Sequence, residues 1–150
     1  MQPIFVLDPD ILDLLKDKSD ARVTLIYQWL EELREEYRTR GCDLWLFYAK
    51  PLDVFKLLVE QHNISAVYTN TDYEPLAIAR DFAVEKYLNS EGIAFKSFKD
   101  QVIFEKSEIL TGEGKPYTVF TAYKNKWLLH FKQKKIETVS IESLKQGLNP

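Results

Sequence analysis

The side chains that could do chemistry are few in this sequence and form no familiar catalytic set. The two histidines, His62 and His130, lie far apart and lack the helical or finger spacing of a zinc site. No G-x-S-x-G elbow, H-E-x-x-H motif or C-x-x-C pair is present. A single cysteine, Cys42, cannot form an internal disulfide and fits a reducing compartment. The sequence therefore predicts neither a metal site nor a catalytic residue.

Phosphate-binding loops are recognised by glycine spacing, and the usual spacings are absent. Neither G-x-G-x-x-G nor G-x-x-x-x-G-K-[ST] follows an apolar run. Residues 112–115, Gly-Glu-Gly-Lys, look superficially similar to such a loop. Because no strand precedes them and no helix follows, they predict a β-turn.

The composition indicates one compact domain. The chain has 150 residues, of which 45% are hydrophobic, and a formal net charge of −3. A mildly acidic surface disfavours autonomous nucleic-acid binding, which usually requires clustered lysine and arginine. No apolar run approaches the length of about 20 residues that spans a membrane, and no signal peptide precedes the first run. We expect a cytoplasmic protein without a membrane partner.

Four short apolar runs alternate with amphipathic stretches, and this alternation predicts the fold class. The runs are residues 4–7, 44–48, 66–68 and 93–98, the last perhaps extended by 102–104. Helices are expected from Ser19 or Asp20 to Gly41, after Pro51, from about Pro75, and around residues 123–132. For the third helix we expect an apolar stripe, namely Ala79, Phe82, Ala83 and Tyr87. The β-α-β pattern predicts an α/β fold, an open parallel sheet with helices on both faces and ligands at the carboxyl ends of its strands.

Four stretches in a fixed order resemble one known family. They are residues 4–9 (IFVLDP), 19–23 (SDARV), 68–75 (YTNTDYEP, closing with Arg80-Asp81), and 98–100 (FKD) followed by 114–121 (GKPYTVFT) and Trp127. Together, over roughly residues 3–131, they resemble the amino-terminal α/β domain of the DNA photolyase and cryptochrome family.

The resemblance implies a Rossmann-like sheet of strand order 3-2-1-4-5 in which the first strand is missing here. Residues 1–2 lead directly into the family's second strand. We therefore expect a fragment, with an antenna-binding α/β domain at 1–131 and an interdomain linker or tail at 132–150. Loss of a central strand opens two sheet edges. We expect the gap to be closed by a second copy, giving a homodimer, or by residues 136–141.

The resemblance also implies a function for the parent protein. Family members hold a light-harvesting antenna chromophore in this domain and pass excitation to FAD in a helical domain, which this sequence does not contain. The chain is then a fragment of a light-dependent DNA repair enzyme, deoxyribodipyrimidine photo-lyase, a carbon–carbon lyase. The fragment itself is not expected to be catalytic and meets damaged DNA only through the full-length protein. The alternatives are a cryptochrome photoreceptor fragment and a nucleotide-binding module of universal-stress-protein type.

Within the family that the chain resembles, the residues at a few positions distinguish the types of antenna. Folate-binding members carry Asn and Glu where this chain has Leu76 and Ala77, which cannot hydrogen-bond a pterin. A deazaflavin or flavin antenna is therefore expected over a folate. Deazaflavin-binding members carry an Arg, an Asp and a Glu that match Arg22, Asp72 and Glu74.

The remaining expected ligand contacts are apolar, and structural roles stay open for the polar ones. Phe5, Val6 and Leu7 would supply an apolar wall. Asp72 could instead cap the helix near Pro75. Arg22 and Glu74 could form a structural ion pair or lie on a solvated face.

Overall fold

The computed structural model describes residues 1–17 and 19–135. Residues 136–141, which we considered for closing the sheet, lie outside this part. The strands are β1 (Ile4–Leu7), β2 (Trp45–Tyr48), β3 (Ala66–Asn70) and β4 (Ala94–Phe98). The helices are α1 (Pro9–Leu12), α2 (Ala21–Thr39), α3 (Pro51–Gln61), α4 (Pro75–Ser90) and α5 (Phe120–Gln133), with a 3₁₀ turn at Lys106–Glu108.

The strands form two separate parallel pairs. β1 pairs with β2 in the register Ile4↔Trp45, and β3 pairs with β4 in the register Ala66↔Ala94. No five-stranded sheet forms from residues 4–104 among the described residues. The expected α/β class with parallel strands and helices is confirmed.

The two strand pairs agree with the expected strand order. Removing the first strand from the order 3-2-1-4-5 leaves two pairs, which correspond to β2 with β1 and to β3 with β4. α3 packs against α4, so these two helices lie on the same side.

Local signals set where α2 begins and ends. Asp20 is its N-cap, and the Asp20 side chain accepts a hydrogen bond of 2.9 Å from the backbone N–H of Arg22. Gly41 follows the helix with a φ of 80°, a left-handed conformation that glycine adopts without steric cost. Both boundaries agree with the sequence prediction.

The most densely buried part of the core lies between α3, α4 and β4. Val84, Leu88 and Ile93 form a buried cluster. The half-buried side chains packed against it are Leu52, Phe55, Val59, Ile64, Val67, Tyr87 and Phe95.

The expected apolar stripe of α4 is wrong in most of its members. The buried residues of this helix are Ala77, Val84 and Leu88, whereas Phe82 is 65% exposed. Ala79 and Ala83 are also exposed, and of the expected stripe only Tyr87 packs against the core. Apolar residues occur around the whole circumference of α4, so periodicity does not identify its inner face. Packing against α3 decides it.

Two smaller differences and one confirmed prediction concern the loops. The short helix α1, capped by Asp8, was not predicted. Residues 102–104 do not extend β4. The β-turn around Gly114 is confirmed, because the Gly114 N–H donates to the Thr111 carbonyl at 3.0 Å.

An ion pair ties α2 to the start of β2 and makes stability depend on pH. Arg34 donates Nε and Nη2 to the two carboxylate oxygens of Asp43 at 2.8 and 2.9 Å. This hydrogen bonding lowers the pKa of Asp43 from 3.8 to about 2. Because the folded-state pKa is depressed, the stabilisation is complete above the unfolded value and is lost as the pH falls through about 2.

We therefore expect Asp43→Asn to flatten the acid dependence of stability. Urea midpoints measured between about pH 5 and about pH 2 should fall less steeply in this variant than in the parent chain. Arg34→Met should flatten the curve to a smaller extent, since Arg38 Nε still lies 3.3 Å from Asp43 Oδ1. Parallel curves for all three proteins would contradict a stabilising role for the pair.

Candidate binding site at the carboxyl ends of the strands

The topology brings the expected ligand residues to one edge of the fold. Phe5, Val6 and Leu7 end β1, and Asp72 and Glu74 lie between β3 and α4. Arg22 lies in the first turn of α2, the helix that leads from β1 to β2. Parallel strands end at the same edge, and open α/β sheets bind ligands there, where the strand order reverses. In the expected strand order this reversal lies between β1 and β3.

The end of β1 offers the apolar surface that a ring system needs. Phe5 is 38% exposed, and Val6 and Leu7 are half-buried. Strands of parallel sheets are normally covered on both faces, so this degree of exposure leaves the side chains of β1 partly accessible.

Asp72 and Glu74 keep their carboxylates free of ion pairs within the described residues. Asp72 is half-buried, and its Oδ1 accepts a hydrogen bond of 3.1 Å from the backbone N–H of Glu74. Glu74, rather than Asp72, is the N-cap of α4, and its exposed side chain makes no capping bond. The Asp72 side chain therefore bridges the turn before α4 and leaves Oδ2 as an acceptor.

Arg22 is engaged by its own helix start instead of by Glu74. Its Nε lies 3.0 Å from Asp20 Oδ1, and its Nη2 lies 2.5 Å from Asp20 Oδ2. This bonding lowers the pKa of Asp20 to about 2 and raises that of Arg22. The Arg22 side chain is 77% exposed, and exposed pairs contribute little free energy. A ligand group could therefore compete with Asp20 for the guanidinium at small cost.

Polar contacts that the sequence did not reveal stabilise the edge around β3 and β4. Asn70 Nδ2 donates to Asp100 Oδ2 at 3.0 Å, and the hydroxyls of Thr71 and Ser97 lie 2.7 Å apart. The only sequence signal for these residues is their place at strand ends.

On the β1 and β2 side of the same edge, Lys50 lies 2.9 Å from Asp10. The hydrogen bond to Asp10 raises the pKa of Lys50, so its ammonium stays charged.

Tyr73 lies in the loop between β3 and α4, between Asp72 and Glu74. Its hydroxyl is buried without a hydrogen-bond partner in the part of the chain that the structure describes. Burial raises the pKa of this phenol, and the nearby Glu105 carboxylate raises it further.

Two classes of site find no support in residues 1–17 and 19–135. No cluster of His, Cys, Asp or Glu in this range could hold a metal ion. No helix in it is both long enough and apolar enough to cross a membrane.

Comparison with known proteins shows similarity to a single family. The sequence profile of the family described as DNA photolyase matches residues 1–141. A deoxyribodipyrimidine photo-lyase of a Synechococcus strain is 35% identical over 124 residues, which cover 83% of this chain and 25% of the relative. That of Halobacterium salinarum is 33% identical over the same shares. The chain thus spans about a quarter of the length of these curated relatives.

A solved structure supports the same similarity. An archaeal photolyase from Sulfolobus tokodaii, described with two FAD molecules and a novel light-harvesting cofactor, superposes with a TM-score of 0.70 at 26% identity. The match covers 91% of this chain and 29% of that one.

Proposed function

The chain belongs to the DNA photolyase family, and from this premise we propose that it is the antenna-carrying part of a light-dependent DNA repair enzyme. The single observation that carries the proposal is the exposed apolar and polar surface at the carboxyl ends of β1 and β3. It combines apolar surface at the end of β1 with two carboxylates that have no ion partner within the described residues. That combination suits a planar ring that carries N–H donors.

The antenna is a flavin-type chromophore in this proposal, and its function is to absorb light. Phe5, Val6 and Leu7 line one side of the ring, and Asp72 and Glu74 accept hydrogen bonds from it. Arg22 donates a hydrogen bond to the ligand once its guanidinium releases Asp20. The Sulfolobus tokodaii relative, which is described with two FAD molecules, supports a flavin over a folate. The titration described below distinguishes a flavin from a deazaflavin.

The partners follow from the same premise. The excitation passes to an FAD held by a separate helical domain, which repairs the dimer, and damaged DNA is bound by the full-length protein. In this proposal residues 1–131 form the antenna-binding domain, and residues 132–150 form an interdomain linker or tail. The naming of the relatives as photo-lyases supports repair over a cryptochrome function.

Titration of the purified 150-residue chain with 8-hydroxy-deazaflavin, FMN and methenyl-folate tests the proposal. We expect saturable binding of a flavin-type ligand, followed by fluorescence, and no binding of the folate. Asp72→Asn should weaken binding at least about tenfold, a change of about 1.4 kcal/mol, because a neutral amide is a poorer acceptor for a ring N–H. The amide oxygen of this variant can still accept from the Glu74 N–H, so the turn is retained.

Glu91→Gln is the matched control, because Glu91 lies at the opposite end of α4, away from this edge. It should bind the chromophore like the parent chain. Equal binding by the Asp72 and Glu91 variants, or binding of the folate alone, would contradict the proposed site.

A further inference from the structure

The segment that contains α5 has a charge opposite in sign to that of the whole chain. Residues 115–135 contain six lysines and no aspartate or glutamate, whereas the chain as a whole has a formal net charge of −3. The net charge, averaged over 150 residues, therefore hides one locally basic segment. Because salt screens charges beyond about 10 Å, an approaching polyanion responds to this segment rather than to the average.

The apolar face of α5 is already covered by other parts of the chain. The rings of Trp127 and Phe104 meet edge to face with their centroids 5.5 Å apart. The ring of Tyr123, one turn before Trp127, lies 6.2 Å from that of Tyr117. These contacts fix which side of α5 packs on the protein and which side stays exposed.

Three lysines lie on the exposed side of α5 and just beyond its end. Lys124 and Lys132 are exposed and eight residues apart, which places them on one side of the helix and about 12 Å apart along its axis. Lys135, two residues after the end of α5, is also exposed. None of the three forms an ion pair within residues 1–17 and 19–135. We call these three residues the lysine strip.

The carboxylates that precede α5 are engaged with other lysines. Glu113 Oε2 lies 3.1 Å from Lys115 Nζ, and Glu108 Oε2 lies 2.6 Å from Lys99 Nζ. The charge of the lysine strip is therefore not neutralised by them and is available to an external anion.

The geometry of the lysine strip favours duplex DNA over a membrane. The axial separation of its two helical lysines, about 12 Å, equals the width of the B-DNA major groove, so they can reach phosphates on both sides of that groove. A helix that binds a bilayer buries its apolar face in the lipid, and in α5 this face packs on Phe104 and Tyr117. Leu128 and Leu129 remain 40% and 52% exposed, so lipid vesicles are included in the experiment below.

We propose that the lysine strip binds the phosphate backbone of duplex DNA, independently of base sequence and of any lesion. Lysine ammoniums contact phosphates as point charges and release condensed counterions, and such contacts carry no sequence information. The binding requires neither a chromophore nor a damaged base, so the proposal goes beyond the antenna function.

Fluorescence anisotropy of a short, labelled, undamaged duplex titrated with the full 150-residue chain tests the proposal. With about three phosphates neutralised, the logarithm of the association constant should fall against the logarithm of the salt concentration with a slope of about −2.7. Lys132→Gln should reduce this slope to about −1.8, because one phosphate contact is lost. The triple variant Lys124→Gln, Lys132→Gln, Lys135→Gln should lose the salt-dependent binding.

A second triple variant, Lys16→Gln, Lys56→Gln, Lys86→Gln, is the matched control. It removes the same charge from exposed lysines outside α5 and should keep the slope of the parent chain. Both triple variants should have urea midpoints close to that of the parent, since all six side chains are exposed. A loss of DNA binding caused by unfolding would therefore be detected.

Three results would overturn the proposal. They are an absence of duplex binding at low salt, an equal loss of affinity in the two triple variants, and tighter binding to phosphatidylserine vesicles than to the duplex. The last result would assign the lysine strip to a membrane surface. Because no chromophore is present in this experiment, its outcome is independent of the chromophore titration, and the two proposals fail separately.

Discussion

Replacing Leu88 with alanine is expected to lower the free energy of unfolding by about 3 kcal/mol. Leu88 is 0% exposed and lies in the cluster that joins α4 to β4 and α3. Truncation removes buried methyl groups and leaves a cavity that the surrounding helices cannot fully fill. Because few side chains of the described chain are this deeply buried, a loss of this size is a large share of the total stability.

Phe82→Ala is the matched control on the same helix. Phe82 is larger than Leu88, but it is 65% exposed, so its removal should cost less than about 1 kcal/mol. Urea denaturation followed by circular dichroism measures both values. Equal losses of unfolding free energy in the two variants would contradict the assignment of Leu88 to the buried face of α4 and of Phe82 to the exposed face.

Thr69→Pro is expected to destabilise the chain by about 3 kcal/mol or to prevent folding. Thr69 is an odd-numbered residue of β3, so its N–H belongs to the ladder with β4. Proline removes that donor, and its ring occupies the space of the paired strand. β3 and β4 pack against α3 and α4, so the damage should reach the core.

Tyr68→Pro, one residue earlier, distinguishes the two edges of β3. Its N–H points away from β4, toward the open edge of β3, where proline is tolerated as on an edge strand. The loss should be clearly smaller than for Thr69→Pro, although the stacking of Tyr68 on Phe98 is lost. Thermal unfolding of both variants makes the comparison. A larger loss for Tyr68→Pro would contradict the assignment of its N–H to the open edge of β3.

Features that depend on neighbouring residues could be read directly from the sequence. Short apolar runs at residues 4–7 and 66–68 form strands, Asp20 caps α2, and Gly41 follows its end. Each of these depends on side-chain polarity or backbone freedom within one or two turns of chain. The family resemblance extended this local information to the strand order, and the similarity to known photolyases agrees with it.

Features that depend on distant contacts were not accessible in this way. The inner face of α4 was mispredicted because apolar residues surround that helix, and only contact with α3 selects Val84 and Leu88. The partner of Arg22 is Asp20, since a hydrogen bond at the helix start competes with any ion pair across the edge.

The carboxylates of Asp72 and Glu74, by contrast, became candidate ligands through the family resemblance, because deazaflavin-binding members carry an Asp and a Glu at the matching positions. Tertiary structure alone decided that they stay unpaired within the described residues, and that β1 and β3 present open edges. Backbone pairing depends on which strand lies alongside, and that is a property of the folded chain as a whole.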